Sequence, residues 1–253
     1  LLSPIVMRKH LNRVNPDVVY SMLYMTNLIA WISTRGKYTK KLVWGIRTSN
    51  LKLNAKRYFP ERLCAFLSRT VPLAIANSNS GQHYHQARGY APKKFVTIHN
   101  GIDTSLFYHD EKLRIKTRNE IEVSSKQLLI GVIARLDPAK DHATFLRAAA
   151  LLVKQMDDAK FICVGSGAQD YTIKMQSLTK KLNLEGRVIW LGNRSDMLSI
   201  YNSLDLLSSS SLCEGFSNVI AEAMACGIPC VVTDVGDSAE IVGASDFVVP
   251  PSC

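Results

Sequence analysis

The stretch Leu204–Asp234, LDLLSSSSLCEGFSNVIAEAMACGIPCVVTD, decides the fold. It opens on an apolar run that ends in serines (204–210) and closes on the β-branched run PCVVTD (229–234). Between them VIAEAMA is helical in composition. Ser217 or Asn218 stands where a helix cap is needed, and Gly227 suits the helix end. A strand, a helix and a strand in that order form a crossover unit with parallel strands.

The same alternation extends outward in both directions. Toward the C-terminus a strand is expected at 247–250, after a short helix near 238–242. Toward the N-terminus, strands are expected at 128–134, 160–165 and 188–192, with helices near 142–155, 170–182 and 196–203. The first half repeats the pattern, with strands at 17–21, 42–47, 73–78 and 95–100 and helices around 24–34, 55–69 and 79–89. Apolar strands alternating with helices imply an α/β chain whose parallel sheets are covered on both faces. Residues 109–127, HDEKLRIKTRNEIEVSSKQ, are too charged for a core strand, and the domain junction is placed at about 101–110. The expected domains are 1–105 and 106–253, two facing Rossmann-like doubly wound units. The chain has no initiator Met and stops at VVPPSC, directly after an apparent strand. It is therefore expected to be a fragment, with the first domain incomplete.

The 253 residues carry a net charge of +10. Sixteen Lys and Arg face four acidic residues within 1–110, whereas the remainder holds fifteen against seventeen. The first half is therefore either an ordinary solvated basic face or a surface that meets an anion such as a membrane, a phosphorylated substrate or nucleic acid. The six cysteines form no CxxC and several lie in apolar runs, which fits reduced, buried thiols in a cytosolic protein. No apolar run reaches the length of a membrane span.

In doubly wound sheets, ligands bind beyond the carboxyl ends of the strands. After the 128–134 strand, Arg135 and Lys140 flank a proline turn, and Asp141 can cap the next helix. Two cations beside a helix N-terminus suit a phosphate, or are plain surface charges. After 160–165 comes GSGAQD, where Gly165 and Gly167 begin a dinucleotide-like pattern that Asp170 breaks; a tight turn that lets a ligand approach is the better reading. No GxxxxGK[ST] stretch occurs. After 204–210, the unpaired N–H groups at the start of the 217–225 helix point toward the loop and can hold an anion. Glu222 sits among apolar neighbours, where an ionised carboxylate needs donors; ribose hydroxyls qualify, or the residue lies on the wet edge of its helix. Glu214, in the loop, would repel a nearby anion unless it accepts hydrogen bonds from a neutral sugar. A phosphate, a ribose and a second sugar describe a nucleotide sugar.

EGFSNVIAE (214–222) is an E-x7-E element. With NGID (100–103), ARLDPAKD (134–141), VGSG (164–167) and LGNRSD (191–196), it resembles the retaining GT-B glycosyltransferases of group 1, the bacterial polysaccharide- and lipopolysaccharide-building branch. The resemblance spans about residues 16–250. It implies a GT-B-like pair of domains and assigns catalytic positions to Arg135, Lys140 and Glu214. Arg135 and Lys140 would stabilise the departing diphosphate, and Glu214 would meet the donor sugar. Donor binding would fall to Gly165, Gly167, Asn193, Arg194, Gly215, Phe216, Ser217, Asn218, Val219 and Glu222. Among these, Asn193 and Arg194 would border the base and Glu222 would bind the ribose. The implied donor is a UDP- or GDP-linked sugar, with no cofactor and no metal. The implied acceptor is a saccharide or a lipid-linked saccharide.

Two features of the family are missing: the glycine-rich loop of the first βα units and the C-terminal crossing helix. Tyr20-Ser21-Met22 stands where many relatives have His-x-His. The expected location is cytoplasmic, peripheral at the inner membrane face, with Lys37, Lys40, Lys41, Lys52, Lys56 and Arg57 docking on anionic lipid. No nucleic-acid module is recognised. A sugar-nucleotide epimerase of the same architecture and a non-catalytic nucleotide-binding fragment remain as alternatives.

Overall fold

The computed structural model describes residues 3–48 and 55–251, with the side chains of 55–58 excepted. Of the basic residues above, Lys52 and the side chains of Lys56 and Arg57 lie outside that description. The chain is α/β and divides into two compact units, Leu1–Asn100 with Glu214–Phe216, and Gly101–Cys213 with Ser217–Cys253.

In the first unit the elements are α1 (Pro4–Val14), β1 (Val19–Met22), α2 (Tyr24–Thr34), β2 (Leu42–Ile46), α3 (Ala55–Ser68), β3 (Leu73–Ala76), α4 (Asn79–Ala87) and β4 (Lys94–Thr97). The sheet order is β1-β2-β3-β4, all parallel. Its core joins Leu42, Trp44 and Ile46 of β2 and Ala74 and Ala76 of β3 to Leu28 of α2 and Cys64 of α3. Helix α1 was not anticipated. Ser3 caps it, accepting from the Ile5 N–H at 3.3 Å, and Pro4 takes its first position; Leu11 is its one buried residue.

The second unit runs α5 (Glu111–Glu120), β5 (Leu129–Ile133), α6 (His142–Leu152), β6 (Lys160–Val164), α7 (Gln169–Lys181), β7 (Val188–Gly192), α8 (Met197–Ser203), β8 (Leu206–Ser209), α9 (Asn218–Ala225), β9 (Cys230–Thr233), α10 (Ser238–Val242) and β10 (Val248–Val249). Its six parallel strands take the order β10-β9-β8-β5-β6-β7. The chain winds out from β5 through β6 to β7, then returns to place β8 on the other side of β5. That reversal makes the topological switch point at which such sheets bind ligands.

Both faces of this sheet are covered. Leu129 and Ile133 of β5, with Ile162 and Val164 of β6, belong to the core cluster that includes Ile200, Leu204 and Ile220. Ile130, Val132, Phe161 and Cys163, the alternate positions, pack with Phe145, Leu146 and Met175. This explains why the strands read as continuous apolar runs rather than alternating ones. At the centre of β5, a Cβ on Gly131 would lie 2.6 Å from a Leu204 methyl, so glycine admits that side chain to the sheet.

The charged segment after residue 109 forms no core strand; it folds into helix α5, which the sequence reading did not place. Asp110 caps it, accepting from Leu113 N–H at 3.0 Å. Its arginines work inward. Arg114 donates to Leu204 O at 2.7 Å and pairs with Asp205 at 2.5 Å. Arg118, only 2% exposed, donates to Ser203 O at 2.8 Å, Asp205 Oδ2 at 3.1 Å and Ser124 O at 2.7 Å, and also to Gln127 O. A buried arginine is stable when most of its donors are met in this way; among the described residues, Nε alone of the Arg118 nitrogens finds no partner. Burial alone would raise the Asp205 carboxyl; the Leu129 N–H at 2.7 Å and the two arginines instead hold it below the usual carboxylate range.

Cys64, Cys163, Cys226 and Cys230 are buried cysteines outside any disulfide, and Cys213 is half-buried. No helix among the described residues is long and apolar enough to cross a membrane.

Candidate functional site

A cleft of about 260 Å³ opens at the switch point of the second unit. It is lined by Arg135, Gly165, Asn193, Arg194, Tyr201 and Glu222, among others. Five chain segments meet there: the loops after β5, β6 and β7, helix α8, and helix α9 after β8.

The loop after β5 begins with Arg135, whose Nη2 lies 3.6 Å from Asp137 Oδ2 while the side chain stays largely exposed. Pro138–Lys140 form one 3₁₀ turn, with Asp137 accepting from Ala139 N–H at 2.9 Å. Asp141 then takes a left-handed conformation, φ 43°, and caps α6 through Thr144 N–H at 3.2 Å and Thr144 Oγ1 at 2.6 Å. Behind this turn, burial pushes His142 down to about 4, so its imidazole is neutral and adds no positive charge.

The β8 loop is tied to this turn. Ser210 Oγ donates to Lys140 O at 3.2 Å and to Asp141 O at 2.9 Å, and the Leu212 N–H donates to Ala139 O at 2.8 Å. These bonds fix the backbone at Lys140 to the chain that leads toward α9.

Gly165 and Gly167 let the β5 and β6 loops touch. A Cβ on Gly165 would lie 2.1 Å from Ala134 O, and one on Gly167 would lie 1.9 Å from Leu136 O. The β6 loop therefore runs as a backbone pair with the β5 loop, and the Leu136 N–H donates to Ser166 O at 2.9 Å. Gly165 also lines the cleft, whereas Gly167 serves this backbone contact.

Arg194 is held on three sides. Its Nε and Nη2 meet the Asp196 carboxylate at 2.8 and 2.7 Å, and Nη1 meets Glu120 Oε1 at 2.9 Å. The hydrogen bonds to Asp196 and then Glu120 drive its pKa further up, and the same contact pulls Asp196 down. What remains to offer a ligand is chiefly the flat guanidinium face.

Helix α9 starts at Asn218 with Ser217 as its N-cap, and the Ser217 side chain makes no capping bond. Gly227, at φ 80°, follows the helix end in the left-handed conformation that favours glycine. Glu222 faces the cleft, and its Oε2 accepts from Tyr201 Oη at 2.6 Å. Burial first, and the hydrogen bond to Glu222 next, push the Tyr201 phenol above its ordinary range, so it is a permanent donor.

Of the residues singled out in the sequence, Arg135, Gly165, Asn193, Arg194, Val219 and Glu222 share the cleft lining. Lys140, Gly167, Ser217 and Asn218 belong to the same unit but are not among the residues that line the cleft. Glu214, Gly215 and Phe216 fall in the first unit and are not among the residues that line the cleft. Tyr201 was missed. Its neighbours in MLSIYNS mark a buried helix, and nothing local distinguishes a core tyrosine from one that reaches a carboxylate.

Residues 127–253 match the family described as glycosyl transferases group 1, and residues 1–106 match glycosyltransferase family 4. The chain is 32% identical over 154 residues to the N-acetyl-alpha-D-glucosaminyl L-malate synthase of Bacillus anthracis, covering 61% of this chain and 39% of that protein. It is 28% identical over 237 residues to the N-acetylgalactosamine-N,N'-diacetylbacillosaminyl-diphospho-undecaprenol 4-alpha-N-acetylgalactosaminyltransferase of Campylobacter jejuni, covering 91% of this chain and 61% of that one. It thus spans less than two thirds of each of these relatives. Among solved structures, HepE of Anabaena in complex with UDP superposes with a TM-score of 0.87 at 25% identity, covering 98% of this chain and 69% of HepE. HepE in complex with UDP-glucose gives 0.84 at 26% identity, covering 98% of this chain and 68% of HepE.

Proposed function

The chain belongs to the group 1 glycosyl transferases, and from that premise we propose that it is the donor-gripping part of a retaining glycosyltransferase. It moves a sugar from a UDP- or GDP-linked donor to a saccharide or lipid-linked acceptor in cell-surface polysaccharide synthesis. The observation that carries this reading is that a cation, Arg135, and a carboxylate, Glu222, line one cleft at the switch point. UDP bound to HepE and the diphospho-undecaprenol in the name of the Campylobacter relative support a nucleotide donor and a lipid-linked acceptor.

In this reading the nucleotide lies across the carboxyl ends of β5 and β8. Glu222 accepts from the ribose hydroxyls. Asn193 and the flat face of Arg194 border the base. Gly165 admits the ligand backbone closely. The diphosphate meets Arg135, Lys140 and the first N–H groups of α9 at Ser217, Asn218 and Val219. Glu214, with Gly215 and Phe216, meets the donor sugar.

As the anomeric carbon–oxygen bond breaks, its electron pair leaves with the diphosphate, and the acceptor hydroxyl gives its proton to a departing phosphate oxygen as its own oxygen bonds to the same face of the sugar. The charge that grows on the leaving group sets the barrier, so preorganised cations and N–H groups are the main catalytic means. The reading also places the protein peripherally at the inner face of the cytoplasmic membrane.

The test is release of free nucleoside diphosphate by the intact protein from a panel of UDP and GDP sugars, with and without acceptor. Acceptor-dependent release is expected. Lys140→Ala and Arg135→Ala each remove one charge contact and should slow turnover by about 10²–10³-fold. An epimerised donor formed without acceptor, or unchanged turnover in both variants, would overturn the proposal.

A further inference from the structure

We propose that Tyr201 is a positioning residue for the donor ribose, holding the Glu222 carboxylate in one orientation before the ligand arrives. The inference rests on the donor reading above and adds to it a residue that never touches the substrate chemistry directly.

The geometry is specific. The Tyr201 hydroxyl donates to Glu222 Oε2 at 2.6 Å. Among the described residues Tyr201 is the hydrogen-bond donor to the Glu222 carboxylate. Glu222 is half-buried and faces the cleft, whereas Tyr201 has no exposed surface. A free glutamate samples several rotamers and loses that freedom when it captures a diol. Here one oxygen is already engaged from below, so the plane of the carboxylate is set and the second oxygen remains for the ligand.

Tyr201 cannot easily relocate. Its ring packs edge-on against Phe107, with centroids 5.8 Å apart. The next residue, Asn202, is bonded through its side chain to Tyr108 O and Leu198 O, both at 2.9 Å, and to Asp110 N–H at 2.7 Å. Arg114 and Arg118 hold the carbonyls of Leu204 and Ser203 that follow. The charged helix α5 thus fixes α8, and α8 fixes Glu222. Because its phenol stays protonated, Tyr201 always donates, so Glu222 always presents an acceptor.

The experiment is calorimetric titration of the intact protein with UDP and GDP and with their 2′,3′-dideoxy counterparts. Tyr201→Phe should weaken the ribose-bearing nucleotide about tenfold, the scale of one hydrogen bond to a charged group. It should leave the dideoxy nucleotide unchanged and add nothing to Glu222→Ala. Replacing Tyr201 with a fluorinated tyrosine retains the shape and alters the acidity of the phenol; it should shift ribose-nucleotide affinity alone, which keeps the test decisive if Tyr201→Phe folds poorly. Equal losses on both nucleotides, no loss, or the same loss in the Glu222→Ala background would overturn the proposal. If the unmutated protein binds no nucleotide, the donor reading fails and the positioning role falls with it. Binding that discriminates ribose from dideoxyribose but ignores both Tyr201 variants defeats the positioning role alone.

Discussion

Asp205→Asn tests the support beneath the cleft. The carboxylate receives Arg114 Nη2 at 2.5 Å, Arg118 Nη1 at 3.1 Å and the Leu129 N–H at 2.7 Å. Asparagine retains one acceptor oxygen and turns an NH₂ group toward guanidinium donors. Arg118, 2% exposed, then keeps its carbonyl acceptors and loses its anion. Breaking a buried pair costs about 3–5 kcal/mol; Asp205 keeps a quarter of its side chain in water, which places the cost near about 3 kcal/mol. With a urea dependence of about 2 kcal/mol per molar, the midpoint should fall by about 1.5 M. The assay is amide hydrogen exchange of β5 across a urea series, which reports the second unit alone.

The pH dependence has a definite sign. Asp205 is depressed in the fold, so at low pH the unfolded chain binds its proton first. Its stabilisation is complete above the ordinary carboxylate pKa, about 3.9, and disappears as pH falls through the depressed folded value. The difference between the native protein and Asp205→Asn should therefore be full at neutral pH and close in acid. A difference below about 0.5 kcal/mol at pH 7, within the range of a neutral surface change, would refute this account of α5, as would a difference that does not vary with pH.

Two further outcomes follow from the geometry. Gly167→Ala would drive a Cβ into Leu136 O, so melting should fall by at least about 2–4 °C, the scale of a 1 kcal/mol loss in a unit of this size, while Gly101→Ala, with open space at its Cβ, should melt as the native protein does. Lys37 and Lys40 are exposed, whereas Lys41 donates to Pro16 O at 2.8 Å. Lys37→Glu with Lys40→Glu should weaken sedimentation with anionic vesicles at least about tenfold, at about 1 kcal/mol per lysine, and salt should mimic the change; binding indifferent to both would refute membrane docking through this segment.

The expected strands and helices match the observed elements closely because their signals are local. The 128–134 run became Leu129–Ile133, and the helix expected at 170–182 became Gln169–Lys181. The two unanticipated helices carry caps, Ser3 before Pro4 and Asp110 before Glu111, but bury little apolar surface, Leu11 alone in α1 and Thr117 with Arg118 in α5. Helix α5 reads in the sequence only as too charged for a core strand, because its inward residues are arginines, whose burial depends on carbonyls and a carboxylate some ninety residues away in sequence. For the cleft, the sequence pointed to the loops that follow strands, and six of the singled-out residues line it.

By itself the sequence determined the α/β class, the parallel sheets and the loops in which chemistry belongs, since apolar periodicity, capping residues and glycine punctuation act within a few residues. Only the tertiary structure decided how those loops converge: Tyr201 beneath Glu222, Arg194 clasped by Glu120 and Asp196, and two glycines that bring backbones into contact. These choices depend on the sheet order β10-β9-β8-β5-β6-β7. That order brings together residues far apart in the chain, and their side chains acquire partners only when the strands pair.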